Sequence, residues 1–275
     1  MEPSNIDLPR ILCLHGGGTS ATIFKIQTRH LQRSLQSHFR FVFIDAPFES
    51  GAGPGVLPVF EGCDPFYRWT VPESQNHEQD QRHVRQVLRE AIKNDEGDGE
   101  FVGVLGFSQG GRMAAGLLAD LEEGEATGLP YWQFGVLICA GYPPLSMSTS
   151  RLGGAKPKGE VDGHGPLREP GEEEIIHVPS VHVRGTLDPH LEKGRRLVKY
   201  FDEKTRISME FVMGHHLPAA AGDTTSRKGD TDEIRDAILR AFRSEAEVSY
   251  SSITANGNGM EREQILAYMK SMGTK

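Results

Sequence analysis

The stretch FVGVLGFSQGGRMAAGLLADL, residues 101–121, changes its period in the middle. Residues 101–107 are continuously apolar, as expected of a strand covered on both faces, whereas Met113, Leu117, Leu118 and Leu121 recur at helical spacing. At the join, Gly106, Phe107, Ser108, Gln109 and Gly110 spell GxSxG. A serine on so sharp a turn leaves no room for side chains two residues to either side, and Gly106 and Gly110 supply that clearance. The bare pattern arises readily by chance in a chain with 32 glycines. Its position between strand and helix is what marks Ser108 as a candidate nucleophile.

Outward from this point, apolar runs alternate with amphipathic patterns, the mark of a mostly parallel sheet with helices on both faces. The expected fold class is α/β, with a mostly parallel central sheet covered by helices on both faces. Further strands are expected at ILCL (11–14), FRFVFID (39–45), QFGVLICAG (133–141), VPSVHVRG (178–185) and RISMEFVMG (206–214). Ser20 is a candidate N-cap for a helix carrying Phe24, Thr28, Leu31 and Leu35. A second helix follows with Val84, Val87, Leu88, Ala91 and Ile92, and a last core helix with Ile234, Ala237, Ile238, Ala241 and Phe242. Long loops rich in glycine, proline or charge are expected at 47–76 and 142–174. Residues 1–245 are expected to form a single domain, followed by an extension, 246–275, with a short amphipathic helix around Ile265, Met269 and Met272.

Composition narrows the partners. The 38 acidic and 30 basic residues are well mixed and give a net charge of −8, so there is no basic stripe to neutralise phosphates and nucleic acid is not expected. No run approaches the roughly 18 apolar residues of a membrane span, and MEPSNIDLPR lacks a secretory pattern. The three cysteines, Cys13, Cys63 and Cys139, lie far apart without metal spacing. Free thiols in a reducing, cytoplasmic setting are expected, with no disulfide framework.

A serine hydroxyl needs a base to take its proton, and in this kind of fold an acid and then a histidine follow the serine in the chain. Asp188 lies just beyond the fifth strand in RGTLDP, and His215 just beyond the sixth in VMGHHLP. Ends of parallel strands are where such groups converge. Of the eleven histidines, His30, His38, His77, His83 and His164 have no strand end to aim them, His182 lies within a strand, and His190 begins a helix. Neighbouring His215 and His216 rarely present both rings to one ion, so neither a metal nor another cofactor is expected. His15, Gly16, Gly17 and Gly18 end the first strand, and small residues there expose backbone N–H groups. The expected oxyanion hole is the N–H of Gly17 with that of Gln109.

Together, LCLHGGGTSATIFKIQ, FRFVFIDAPFESGAGPGVLPVF, FYRW, GFSQGG, HVRGTLDP and GHHLP resemble the fungal serine hydrolases of the α/β-hydrolase superfamily, and among them the stand-alone thioesterases that release polyketides. The likeness spans roughly residues 10–243, and IDAPFESGAGPGVLPVF is its most particular segment. It implies Ser108 as nucleophile, Asp188 as acid and His215 as base, His215 standing three residues before Pro218. It also implies an acyl thioester or ester substrate, with a polyketide synthase acyl carrier domain as partner. Val56, Leu57, Val59, Phe60, Phe66, Tyr67 and Trp69 would suit an acyl chain, or would simply pack under their own loop. An acetylated small-molecule ester is the alternative substrate, and a hydrolase-like binding protein without turnover is the alternative class.

Overall fold

The computed structural model describes residues 7–72, 74–122, 128–147, 170–218 and 229–255. Strands β1 (Arg10–Leu14) and β2 (Arg40–Ile44) are followed by a short pair, β3 (Phe48–Ser50) and β4 (Phe66–Arg68). Then come β5 (Phe101–Phe107), β6 (Phe134–Ile138), β7 (Ser180–Gly185) and β8 (Arg206–Phe211). Six of these form one sheet in the order β2-β1-β5-β6-β7-β8, and every pairing in it is parallel. All six strands expected from the sequence are present: β5 with the expected bounds, β1 one residue longer, and the other four trimmed at their ends. Every residue of β5 is buried, as its unbroken apolar run requires.

Alternation along the strands divides the core. Leu12, Leu14 and Val104 face the helices α3 (His77–Asn94) and α4 (Gln109–Glu122), packing with Val84, Leu88, Met113 and Leu117. Ile11, Cys13, Val181 and Val183 face the other way. They meet Phe24 of α1 (Ala21–Gln27), Leu31 and Leu35 of α2 (Arg29–Leu35), and Ile234 and Ile238 of α6 (Asp230–Ala255). Between them in sequence, α5 (Leu191–Val198) packs on the α4 side through Leu197.

Three details depart from the sequence-based expectations. The first helix is two: Ser20 caps α1 by accepting from the Ile23 N–H, but the Thr28 hydroxyl donates to the Phe24 carbonyl at 2.7 Å and the helix stops there. A threonine bonded back to residue i−4 competes with the helical ladder and bends it. The 47–76 stretch is not all loop, because β3 and β4 pair antiparallel within it and Tyr67 bridges to Thr19. Helix α6 continues past Ser244 to Ala255. Of the 142–174 stretch, residues 148–169 lie outside the described residues, as does the helix expected around Ile265.

The strand order reverses at β1, which has β2 on one side and β5 on the other. In such sheets the crevice at this switch point, beyond the carboxyl ends of the strands, is where ligands bind. HGGG leaves β1 there and Ser108 leaves β5 there.

His182 gives the fold a measurable acid sensitivity. Its ring is buried in β7, edge-on to Phe201 at 4.5 Å and paired with the Ser180 hydroxyl at 3.0 Å. Burial, helped by the charges of Arg184 and Arg206, pushes its pKa down to about 3. The unfolded chain takes up this proton near the ordinary histidine value of 6.5 and the folded chain only near 3, so stability drains away as pH falls through that window. One such group contributes a slope of about 1.4 kcal/mol per pH unit. Urea unfolding across this window should show a shallower acid limb for His182→Gln than for the wild type; identical limbs would show that the ring is not the source.

Candidate active site

Ser108 stands between β5 and α4 with φ +51°, a backbone conformation that a side chain rarely adopts. The crowding around it explains its neighbours. A Cβ on Gly106 would lie 2.1 Å from the Gly110 carbonyl oxygen, and a Cβ on Gly110 would lie 2.0 Å from that of Leu14. The Ser108 N–H donates to the Ile138 carbonyl at 2.9 Å, which fastens the turn to the end of β6.

Asp188 lies three residues past β7, its side chain 3% exposed. Its Oδ1 accepts the backbone N–H of His190 at 2.7 Å, and its Oδ2 accepts from His215 Nδ1 at 2.7 Å. A carboxylate only accepts, so the proton of the neutral ring sits on Nδ1 and leaves Nε2 as an acceptor. Nε2 faces Ser108 Oγ at 2.8 Å. The sequence-derived serine, acid and histidine therefore form one continuous hydrogen-bonded chain drawn from the ends of three strands.

His216 is turned elsewhere. Its Nδ1 donates to the Leu217 carbonyl at 2.9 Å and its Nε2 accepts the Gly214 N–H at 3.2 Å, so the ring braces its own turn. His190 caps α5 and lies edge-on to His215 at 5.3 Å, contributing to Asp188 through its backbone rather than its ring.

Gly17 and Gln109 also meet. A Cβ on Gly17 would lie 3.0 Å from Gln109 Oε1, while Gly18 N–H is committed to the Tyr67 carbonyl at 2.8 Å. Among the described residues, no backbone acceptor takes the N–H of Gly17 or of Gln109. The side-chain contacts that support these residues were not anticipated from the sequence. Gln109 Oε1 accepts the Trp69 N–H at 2.8 Å and its Nε2 donates to Thr70 Oγ1 at 2.9 Å. The Trp69 indole N–H donates to the His15 carbonyl at 2.8 Å. His15 is fully buried, and burial pushes its pKa down; as a neutral ring it donates to the Gly16 carbonyl and accepts from the Ala46 N–H at 3.0 Å. The HGGG turn is thus held from both sides.

Cys139, expected only as a free thiol, also reaches the site. It directly follows β6 with φ +49°, and its sulfur lies within 4.8 Å of ligand atoms of Asp188 and His215. Burial, then the Asp188 charge, pushes the thiol up to about 12, so it stays protonated. With Asp188 and His215 already bonded to each other, this donor set suits a proton relay better than an ion. Cys13 is buried as well, whereas Cys63 is exposed.

The apolar residues of the 47–69 stretch mostly serve their own loop. Val56 and Phe66 form a small cluster with Ile23, and Leu57 and Val59 face solvent.

The family profile described as serine hydrolase (FSH1) matches residues 5–226. The chain belongs to the FSH1 serine hydrolase family. It is 35% identical over 257 residues to the esterase pigG of Monascus ruber, covering 85% of this chain and 93% of that one. It is also 35% identical over 257 residues to the thioesterase FSL2 of Gibberella zeae, covering 86% and 94%. In fold it is similar to Zea mays acyl-protein thioesterase 2, with a TM-score of 0.53 at 16% identity over 86% of this chain and 94% of that one. A Bacillus cereus carboxylesterase gives 0.52 at 15% over 88% and 92%. The chain is therefore a serine hydrolase with an α/β-hydrolase fold.

The two adjacent histidines separate cleanly by experiment. His215→Ala should lower kcat for a p-nitrophenyl ester by roughly a thousandfold or more. His216→Ala should stay within about tenfold of the wild type while lowering Tm, since it loses a turn brace worth about 1 kcal/mol. The reverse ranking in kcat would show that the other imidazole is the base.

Proposed function

We propose that the protein hydrolyses an acyl thioester through a covalent acyl-enzyme, with Ser108 as nucleophile, His215 as general base and then acid, Asp188 as the orienting carboxylate, and the N–H groups of Gly17 and Gln109 as the oxyanion hole. The observation that carries this reading is the unbroken chain Asp188 Oδ2, His215, Ser108 Oγ, at 2.7 and 2.8 Å, on a serine held at φ +51°.

Ser108 Oγ attacks the acyl carbonyl carbon as its proton passes to His215 Nε2, and the carbonyl oxygen becomes an oxyanion facing the two N–H groups. Collapse breaks the carbon–sulfur bond, and the departing sulfur takes the proton from His215. Water then attacks the acyl-Ser108 ester, giving its proton to His215, and the carboxylic acid leaves with Ser108 restored. Asp188 keeps the ring in the Nδ1–H form and stabilises the imidazolium. Removing one donor of this kind raises the barrier by about 3 kcal/mol, so Gly17 and Gln109 act alongside the relay.

Support for a thioester comes from the resemblance to polyketide-releasing enzymes and from the relative named as a thioesterase. On this reading the partner is an acyl carrier domain of a polyketide synthase. The net charge of −8 gives no long-range attraction to an acidic carrier, so recognition is local and weak. We place the reaction in the cytoplasm, where the free thiols suit a reducing setting. Among the described residues, no helix is long and apolar enough to cross a membrane. The relative named as an esterase keeps a second reading in play, hydrolysis of an acetylated small molecule.

A matched series of acyl thioesters and oxyesters distinguishes the two. Medium-chain N-acetylcysteamine thioesters should exceed acetyl oxyesters in kcat/KM by about tenfold or more, roughly 1.4 kcal/mol in the barrier. A consistent preference for acetyl oxyesters would move the assignment to the deacetylase.

A further inference from the structure

A cavity of about 470 Å³ opens beside α4, between the first turns of α3 and residues 145–147. Its lining is chiefly apolar, from Trp69, Val84, Met113, Leu145 and Met147. The exposed His77, which also lines it, marks the side open to solvent. This volume lies within the range of small-molecule sites.

Two observations tie the cavity to Ser108. Trp69 and Thr70, both in its wall, are bonded to the side chain of Gln109, the residue next to the serine. Met113, also in the wall, lies one helical turn past Gln109 on α4, about 6 Å of axial rise. A third observation sets the direction. His215 packs on Phe107 at 5.3 Å, and Phe107 belongs to the core on the α6 side of the sheet. Trp69, Val84, Met113 and Met147 belong to the core on the α4 side. The leaving group must receive its proton from His215, so it departs toward the α6 side and the acyl chain points the other way.

We infer that this cavity, rather than the apolar residues of the 47–69 loop, receives the acyl chain. The occupant is the hydrocarbon part of an acyl group longer than acetyl, covalently held on Ser108 during turnover. This inference rests on the acyl-enzyme reading above, and it makes Leu145 and Val71, half-buried in the cavity wall, determinants of chain length.

Filling the cavity tests it. In the full chain, Leu145→Trp and, independently, Val71→Trp should lower the ratio of kcat/KM for decanoyl over acetyl N-acetylcysteamine thioester by about tenfold, equivalent to 1.4 kcal/mol. Decanoate binding to Ser108→Ala, measured by calorimetry, should weaken by a similar factor when Leu145→Trp is added. A ratio within about twofold of the wild type in both filled variants, with decanoate binding unaltered, would overturn the inference. Failure of the acyl-enzyme reading would show separately, as a wild type that turns over neither thioester, and decanoate binding would still decide the cavity.

Discussion

Gly110 lets the first turn of α4 rest on the end of β1, where a Cβ would lie 2.0 Å from the Leu14 carbonyl oxygen, and Gly106 lets the same helix close over the end of β5. Nothing larger than hydrogen fits at either place without moving backbone. That contact does two jobs at once. It forces Ser108 into its left-handed conformation with Oγ toward His215, and it brings the HGGG turn beside the N-terminus of α4. The proposed nucleophile and N–H donors are positioned by one close approach, so a shift in either strand end would disturb both.

The surrounding residues keep this approach rigid. His15 is pinned inside its own turn as a neutral ring, Trp69 closes over it, and Gln109 ties Trp69 and Thr70 to the start of α4. On the opposite side, Asp188 is held by the His190 N–H and faces the protonated thiol of Cys139. Buried donors and acceptors with fixed partners do not need to reorganise when charge develops, which is where such sites gain most of their effect.

The sheet was legible because strands buried on both faces read as unbroken apolar runs, and β5 shows this along its whole length. Ser108 was legible because it follows such a run directly, and Asp188 and His215 because each lies within a few residues of the end of a later strand, β7 or β8. Preference for His215 over His216 came from a resemblance in the spacing to Pro218, and the hydrogen bonds of the two rings now give it a physical basis. What stayed hidden depends on which strands are neighbours. Cys139 and Asp188 are 49 residues apart and meet only because β6 and β7 pair in parallel. The pair β3 and β4 is joined to the turn after β1 through Gly18 and Thr19, which bond to Tyr67, contacts that no local period announces. The cavity beside α4 is assembled from four separate segments, none of which looks like a site alone.

On the proposed mechanism, a single serine held in this turn carries the covalent chemistry. A fluorophosphonate reacts with such a serine and reports its location directly, without knowledge of the natural substrate. Mass spectrometry of the digested protein should find one phosphonate adduct, on the peptide containing Ser108, and none in Ser108→Ala under the same conditions. An adduct on another residue, or undiminished labelling of Ser108→Ala, would contradict the account.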